Sequence, residues 1–170
     1  MSEENKRSIR ISVRNLVEFV LRSGDIDNRR SGNAQKDAML AGGRIHRKIQ
    51  KRMGSGYRAE VPLKHEVTDD EQEIVLSVEG RADGIFTENG ITVIDEIKGM
   101  YTDVARLEAP IEVHLAQAMC YGYFYCCDKD LDGIRLQLTY CNLETEEIRR
   151  FQEIQTMDEL SEWFAGLIHE

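Results

Sequence analysis

The chain has 170 residues and 41% hydrophobic content, which is enough to fill the core of about one domain. No stretch approaches the roughly 20 consecutive apolar residues of a membrane-spanning helix, and the polar N-terminus lacks the apolar region of a signal peptide, so we expect a soluble cytoplasmic protein. The net charge of -9 argues against a nucleic-acid partner, but residues 1–60 carry 14 Lys and Arg against 7 Asp and Glu. This distribution indicates either a basic face for phosphate groups or a solvated, helix-rich N-terminal part.

Two helices are predicted in this basic first third. Ser12 is placed to cap a helix whose apolar residues repeat with helical spacing from Val13 to Leu21, and Gly24 is predicted to end it. A polar loop follows, and a second helix is expected from about Ala34 to Met53. We assign a helical, basic part to about 1–56 and a sheet-containing core to about 57–170 of one domain.

The remaining elements are mostly strands. Alternation from Ala59 to Val67 predicts a strand, and Pro62 suggests that it lies at an edge or carries a bulge. The pattern then predicts strands at 74–81 or slightly beyond, 91–98, 134–142 and 147–153, a helix at 112–127 and a last helix after the capping box Thr156-x-x-Glu159. The order ααβββαββα indicates a mixed α/β (α+β) domain with a central mixed sheet.

The dipeptide Asn89-Gly90 is a strong signal for a two-residue hairpin turn. With that turn, Asp83 falls directly opposite Glu96, and Lys98 points to the same face as Glu96, whereas Asp95 points to the other face. Opposed carboxylates destabilise a sheet unless a cation neutralises them, and oxygen ligands favour Mg²⁺ or Mn²⁺. A solvated sheet face with alternating charges is the simpler alternative for an isolated E-x-K triplet.

Four segments resemble the PD-(D/E)XK nucleases, and among them the RecB-like exonuclease group. Residues 80–84 resemble the G-x-x-D segment, and residues 93–98 are similar to the apolar run that ends in (D/E)-x-K. Gln117 to Tyr121 matches the Q-x-x-x-Y motif, and residues 43–46 resemble the helix that supplies a metal-binding histidine. The resemblance implies a restriction-endonuclease-like core with a hairpin-borne active site flanked by helices.

The resemblance also implies roles for individual residues. His46, Asp83, Glu96 and the backbone carbonyl of Ile97 would bind Mg²⁺ or Mn²⁺, and Lys98 would assist the attacking water. Gln117 and Tyr121, one helical turn apart, would hold the substrate or the lysine. Glu60 resembles an accessory acidic position of some members. From the residues alone, the place of His46 at the apolar margin of a helix favours a structural role, His114 is a rival ligand, and His65 is expected to be structural.

Many RecB-like nucleases hold an iron–sulfur cluster through one early cysteine and a late triad. The four cysteines of this chain do not match that spacing, so we expect no cluster and interpret them as reduced, mostly buried residues; they are Cys120, Cys126, Cys127 and Cys141. Residues 11–25 resemble the start of bacterial DinG-like, XPD-type helicases that begin with such a nuclease domain. No Walker A motif is present, so a helicase would be a separate domain or subunit.

Three functions follow as hypotheses. The first is a metal-dependent deoxyribonuclease, in particular an exonuclease that acts on single-stranded DNA or duplex ends. The second is a non-catalytic nucleic-acid-binding module that assists a partner helicase. The third is a protein-interaction domain, which the net charge of -9 favours.

Overall fold

The computed structural model describes residues 6–21 and 32–169, with the side chains of helix α2 described from Leu40 onward. Four helices flank a mixed six-stranded sheet. The elements in chain order are β1 (Arg7–Ser12), α1 (Val13–Leu21), α2 (Gly32–Arg52), β2 (Arg58–Asp69), β3 (Ile74–Glu88), β4 (Ile91–Met100), a 3-10 turn (Val104–Arg106), α3 (Glu112–Lys129), β5 (Gly133–Asn142), β6 (Ile148–Thr156) and α4 (Met157–Ile168).

The predicted mixed class and the predicted order of elements are confirmed, with the addition of β1. This strand was missed because its residues are mostly exposed and it runs directly into α1. Ser12 does cap that helix, since its Oγ accepts a hydrogen bond from the amide of Asn15 at 3.0 Å. The predicted end of α1 at Gly24 lies outside the described residues.

Strand β3 is the centre of the sheet. Along its length it pairs with β2, which has no other partner among the described strands and is therefore an edge strand, as Pro62 suggested. On its other side β3 pairs with parallel β1 in its first half and with antiparallel β4 in its second half. Strand β4 then continues alongside parallel β5, which pairs with β6. On this second side, β1 and β4 thus leave a gap beside the middle of β3, between Glu79 and Gly84.

The two faces of the sheet bury different helices. Helices α1, α3 and α4 cover one face, where the main hydrophobic core includes Val17, Ile94, Phe124 and Leu138. Helix α2 covers part of the other face, where Ile45 and Ile49 pack on Ile97 in a smaller cluster. No helix of the described residues is long and apolar enough to cross a membrane.

The capping box of α4 is confirmed, because Thr156 Oγ1 accepts a hydrogen bond from the Glu159 amide at 3.1 Å.

The four cysteines are free, and Cys127 alone among them is exposed. His65 has the expected structural role, because its ring stacks on Phe124 with centroids 5.2 Å apart.

Candidate active site

The hairpin register predicted from Asn89-Gly90 is confirmed for five pairs, from Glu88–Ile91 to Gly84–Asp95. Regular pairing stops there, one position before Asp83 and Glu96. The predicted direct opposition of these two residues in a regular ladder is therefore corrected. Instead, Asp83 Oδ2 accepts a hydrogen bond from the Ile97 amide at 2.7 Å, so its carboxylate occupies the place of a main-chain partner.

A shift in the side-chain alternation of β3 explains this geometry. Ala82 and Ile85 both belong to the core under α3, although an odd number of positions separates them. Between them the alternation must slip by one residue, which leaves Asp83 and Gly84 on the side of helix α2. The partner strand carries a matching irregularity, because Glu60 has a left-handed φ of 54°. Such a conformation costs a non-glycine residue about 1 kcal/mol or more and is held here by tertiary contacts.

Helix α2 supplies those contacts. Gln50 donates one hydrogen bond to the main-chain oxygen of Asp83 and another to Glu60 Oε1, both at 2.9 Å. One turn earlier, His46 Nδ1 lies 3.5 Å from Asp83 Oδ1. Potential ligand atoms of His46, Glu60 and Asp83 all lie within 4.8 Å of one another. The sequence had singled out all three, but Gln50 was missed; its position four residues after His46 was the available signal.

Glu96 approaches the gap from the α3 side of β4. It is 5% exposed, and its Oε1 lies 3.3 Å from the ammonium of Lys98, as the shared strand face predicted. Its Oε2 is buried and has no hydrogen-bond partner among the described residues. Burial, together with the negative charge of Asp83, raises the pKa of Glu96 well above its ordinary value. Burial also raises the pKa of Asp83, which His46 opposes.

Helix α3 brings the other motif residues to the same side as Glu96. Gln117 and Tyr121 are both buried, one turn apart. The Tyr121 ring lies directly against Gly80, where a Cβ atom would come within 2.5 Å of the hydroxyl. Burial, then the charges of Glu96 and Asp83, raise the pKa of this tyrosine. The Tyr121 ring thus occupies the space that a side chain at position 80 would need, and glycine leaves that space open.

His114 lies one turn before Gln117 but does not join His46, Glu60 and Asp83. Its Nδ1 is 3.0 Å from the hydroxyl of Tyr140, which also accepts the amide of Ile111. Burial, with the positive charges of Lys98 and Arg14, lowers the pKa of His114 to about 4. His46 is thus the histidine that the structure places with the carboxylates.

Asp95 and Ile97 point away from Glu96, as strand parity predicted. Asp95 is fully buried and accepts hydrogen bonds from the hydroxyls of Tyr57 at 2.7 Å and Thr139 at 2.6 Å. The side chain of Ile97 packs under α2, while its amide contacts Asp83. Tyr57 was not foreseen, since no local pattern connects it to a strand that begins more than thirty residues later.

The arrangement fits a divalent cation. Burial raises the pKa of both carboxylates, although His46 lies beside Asp83 and Lys98 beside Glu96, and one buried oxygen of Glu96 has no hydrogen-bond partner among the described residues. A bound cation would favour the charged form of both groups. Carboxylate oxygens and an imidazole nitrogen are ligands that Mg²⁺ or Mn²⁺ accept. His46, Glu60 and Asp83 form the group of candidate ligands that the described residues bring together, and Glu96 stands outside this group as a further candidate through its unpartnered oxygen.

No protein-family model matches the chain, and no curated protein matches its sequence. Among solved structures, it is similar to the crystal structure of a protein named SSO0001, with a TM-score of 0.59 and 19% sequence identity. The match covers 99% of this chain and 78% of the other. At this identity the similarity concerns the fold, and it supports the predicted mixed α/β class.

Proposed function

We propose that this chain is a metal-dependent phosphodiesterase that cleaves DNA. Mg²⁺ or Mn²⁺ would be held by His46, Asp83, Glu96 and the main-chain carbonyl of Ile97. The observation that carries the proposal is the buried, unpartnered Oε2 of Glu96, in a site that Asp83 and Lys98 also border. An unsatisfied buried acceptor costs about 1–3 kcal/mol, and a cation bound at this oxygen would offset that cost.

The residues around this oxygen suit hydrolysis of a phosphodiester. A bound divalent cation would offset the carboxylate charge and polarise a phosphoryl oxygen. The Lys98 ammonium, beside Glu96, lies where it can stabilise the negative charge that develops on the phosphate. Gln50 fixes the backbone of Asp83 and the side chain of Glu60, so the ligand set is preorganised. Gln117 and Tyr121 would position Lys98 or the substrate from α3.

DNA is the proposed substrate because the basic residues concentrate in the first third of the chain, which includes the helix that carries His46. Exonuclease action and association with a helicase domain or subunit are implied by the family resemblance and remain predictions. A binding module without catalysis would require the basic helix but would not require the unpartnered oxygen of Glu96.

The test is cleavage of labelled single-stranded and duplex DNA with Mn²⁺ or with EDTA, for the wild type and Glu96→Ala. Glu66→Ala is a matched control, since Glu66 lies on β2 and is exposed. We expect Mn²⁺-dependent cleavage that falls at least about 100-fold in Glu96→Ala and is unchanged in the control. Equal cleavage by both variants would refute the assigned site.

Calorimetry separates the two leading functions. We expect Mn²⁺ to bind the wild type and to bind at least about 10-fold more weakly after His46→Ala, because one direct ligand is lost. A chain that binds DNA but no Mn²⁺ would instead be a non-catalytic nucleic-acid-binding module.

A further inference from the structure

The segment that carries His46 has a one-sided charge. Residues 40–59 contain six Lys and Arg and no Asp or Glu, in a chain with a net charge of -9. Five of these basic residues lie on α2, and all five are exposed: Arg44, Arg47, Lys48, Lys51 and Arg52. This helix surface is therefore a local exception on an acidic molecule.

The exposed cations of α2 fall into two groups. Lys48 and Arg52 face Glu146, which follows β5; their nitrogens lie 2.6 Å and 3.8 Å from its carboxylate oxygens. The remaining three, Arg44, Arg47 and Lys51, form no ion pair with another of the described side chains, which are those of residues 6–21 and 40–169. Arg47 and Lys51 share one stripe of the helix, whereas Arg44 lies four residues before Lys48 and belongs to the stripe of Lys48 and Arg52. We call Arg47 and Lys51 the open cationic face.

The geometry of a helix places the open cationic face beside the candidate site. Residues four apart lie on one stripe, and each successive residue is turned by about 100°. Around α2 the buried stripe of Ile45 and Ile49 is followed by the stripe of His46 and Gln50, which contact Asp83.

The next stripe is Arg47 and Lys51, and the stripe of Arg44, Lys48 and Arg52 comes last. Gly43 extends the Arg47 stripe by one turn without a side chain, and Arg47 Nη1 lies 3.4 Å from the place where a Cβ would stand. A chain of negative charges along this stripe would thus pass directly beside His46.

We propose that Arg47 and Lys51 hold the phosphate backbone of a DNA strand whose neighbouring linkage lies at His46 and Asp83. This inference rests on the proposed function and adds the path of the substrate to it. The acidic remainder of the molecule repels a polyanion, so attraction is concentrated on this surface. Glu146 offsets one of the two positive charges of Lys48 and Arg52, which favours a path on the side of the site.

The experiment measures binding of a fluorescent deoxythymidine oligonucleotide to the full chain by anisotropy, in EDTA, over a range of salt concentrations. The test variant is Arg47→Gln/Lys51→Gln, and the matched control is Lys48→Gln/Arg52→Gln. Both remove two charges from exposed positions of the same helix, one stripe apart. Circular dichroism and thermal denaturation establish that both variants fold as the wild type does.

We expect the test variant to bind at least about 10-fold more weakly and to reduce the magnitude of the negative slope of log K against log salt by about 1 to 1.5, because two phosphate contacts of a single strand are lost. The control should change the slope by less than about 0.5. Equal effects of the two variants, or no binding by the wild type, would overturn the inference.

Failure of this inference can be told apart from failure of the proposed function, because binding in EDTA does not require cleavage. If the wild type does not cleave DNA but the test variant alone binds it more weakly, the role of the open cationic face is supported and the nuclease function is refuted. If the wild type cleaves DNA but both variants bind it equally well, the nuclease function is supported and the proposed path of the strand is refuted.

Discussion

The hydroxyl of Tyr57 donates a hydrogen bond of 2.7 Å to the buried carboxylate of Asp95. The other oxygen of Asp95 accepts from Thr139 on β5, so this carboxylate joins three segments behind the site. The Tyr57 ring also lies on Gly84, next to Asp83. Asp95, which directly precedes Glu96, thus stabilises the backbone that carries Asp83 and Glu96.

We expect Tyr57→Phe to destabilise the protein by about 1–3 kcal/mol, because it removes a hydrogen bond to a fully buried carboxylate. The free energy of unfolding, measured in urea, checks this prediction. Tyr101→Phe is the control, since Tyr101 is half-exposed, and it should change stability by less than about 0.5 kcal/mol. A similar small effect of both substitutions would contradict the bracing role of Tyr57.

Gly84→Ala should destabilise the protein by about 1–3 kcal/mol or more, since the added Cβ would stand 1.8 Å from the Tyr57 ring. The ring cannot move away without loss of its bond to Asp95. Gly56→Ala is a matched control, because a Cβ there meets no atom within 4 Å and the position has no positive φ. Thermal denaturation distinguishes the two, and equal melting temperatures would show that Tyr57 is not fixed against Gly84.

The raised pKa of Glu96 gives a stability that depends on pH. Burial, followed by the charge of Asp83, raises the folded-state pKa, so the protonated form stabilises the fold, and this contribution is lost as pH rises above the ordinary value of 4.5 through the raised one. In EDTA at pH 8, Glu96→Gln should therefore be more stable than the wild type, on the order of 1 kcal/mol.

That difference should shrink towards pH 4.5, and Mn²⁺ should reverse it, because the cation stabilises only the wild-type carboxylate. Urea denaturation of both proteins at several pH values provides the measurement. A wild type that is the more stable protein in EDTA at pH 8 would show that Lys98 already compensates the charge of Glu96.

His114 should remain uncharged between pH 5.5 and 8, because burial and the charges of Lys98 and Arg14 lower its pKa to about 4. Its contribution to stability is present above the ordinary value of 6.5 and decreases as pH falls towards 4. Tyr140 accepts the amide of Ile111 and so donates its own proton to Nδ1, which predicts the tautomer with hydrogen on Nε2. Nitrogen NMR shifts of the imidazole across this pH range report both properties, and a titration near pH 6.5 would contradict them.

Local chemistry made the hairpin predictable from the sequence. Asn89 and Gly90 both adopt positive φ angles, of 52° and 80°, which is what a two-residue turn of this kind requires, and the turn sets the register up to Gly84 and Asp95. Periodicity likewise identified α1, α2 and α4, since each has an apolar stripe that is buried in part. The identity of the site residues follows largely from this register and from the family resemblance.

The slip at Asp83 could not be predicted, because it depends on contacts between distant segments. Glu60 has no intrinsic preference for a left-handed φ, and it is held by Gln50 from another element. The parallel pairing of β1 with β3 has the same origin, as the partners lie more than sixty residues apart and neither exposes a simple alternation. These are the features that open the gap in which Asp83 and Glu96 meet.

Single-turnover cleavage of DNA by Lys98→Ala, at saturating Mn²⁺ and protein, tests the central claim most directly. Lys64→Ala is the matched control, since Lys64 is exposed on β2 and paired with Glu66 at 3.3 Å. We predict that Lys98→Ala binds Mn²⁺ as the wild type does and cleaves at least about 100-fold more slowly, whereas the control cleaves at the wild-type rate. A Lys98→Ala protein with the wild-type cleavage rate would contradict the assignment of this site as a phosphodiesterase centre.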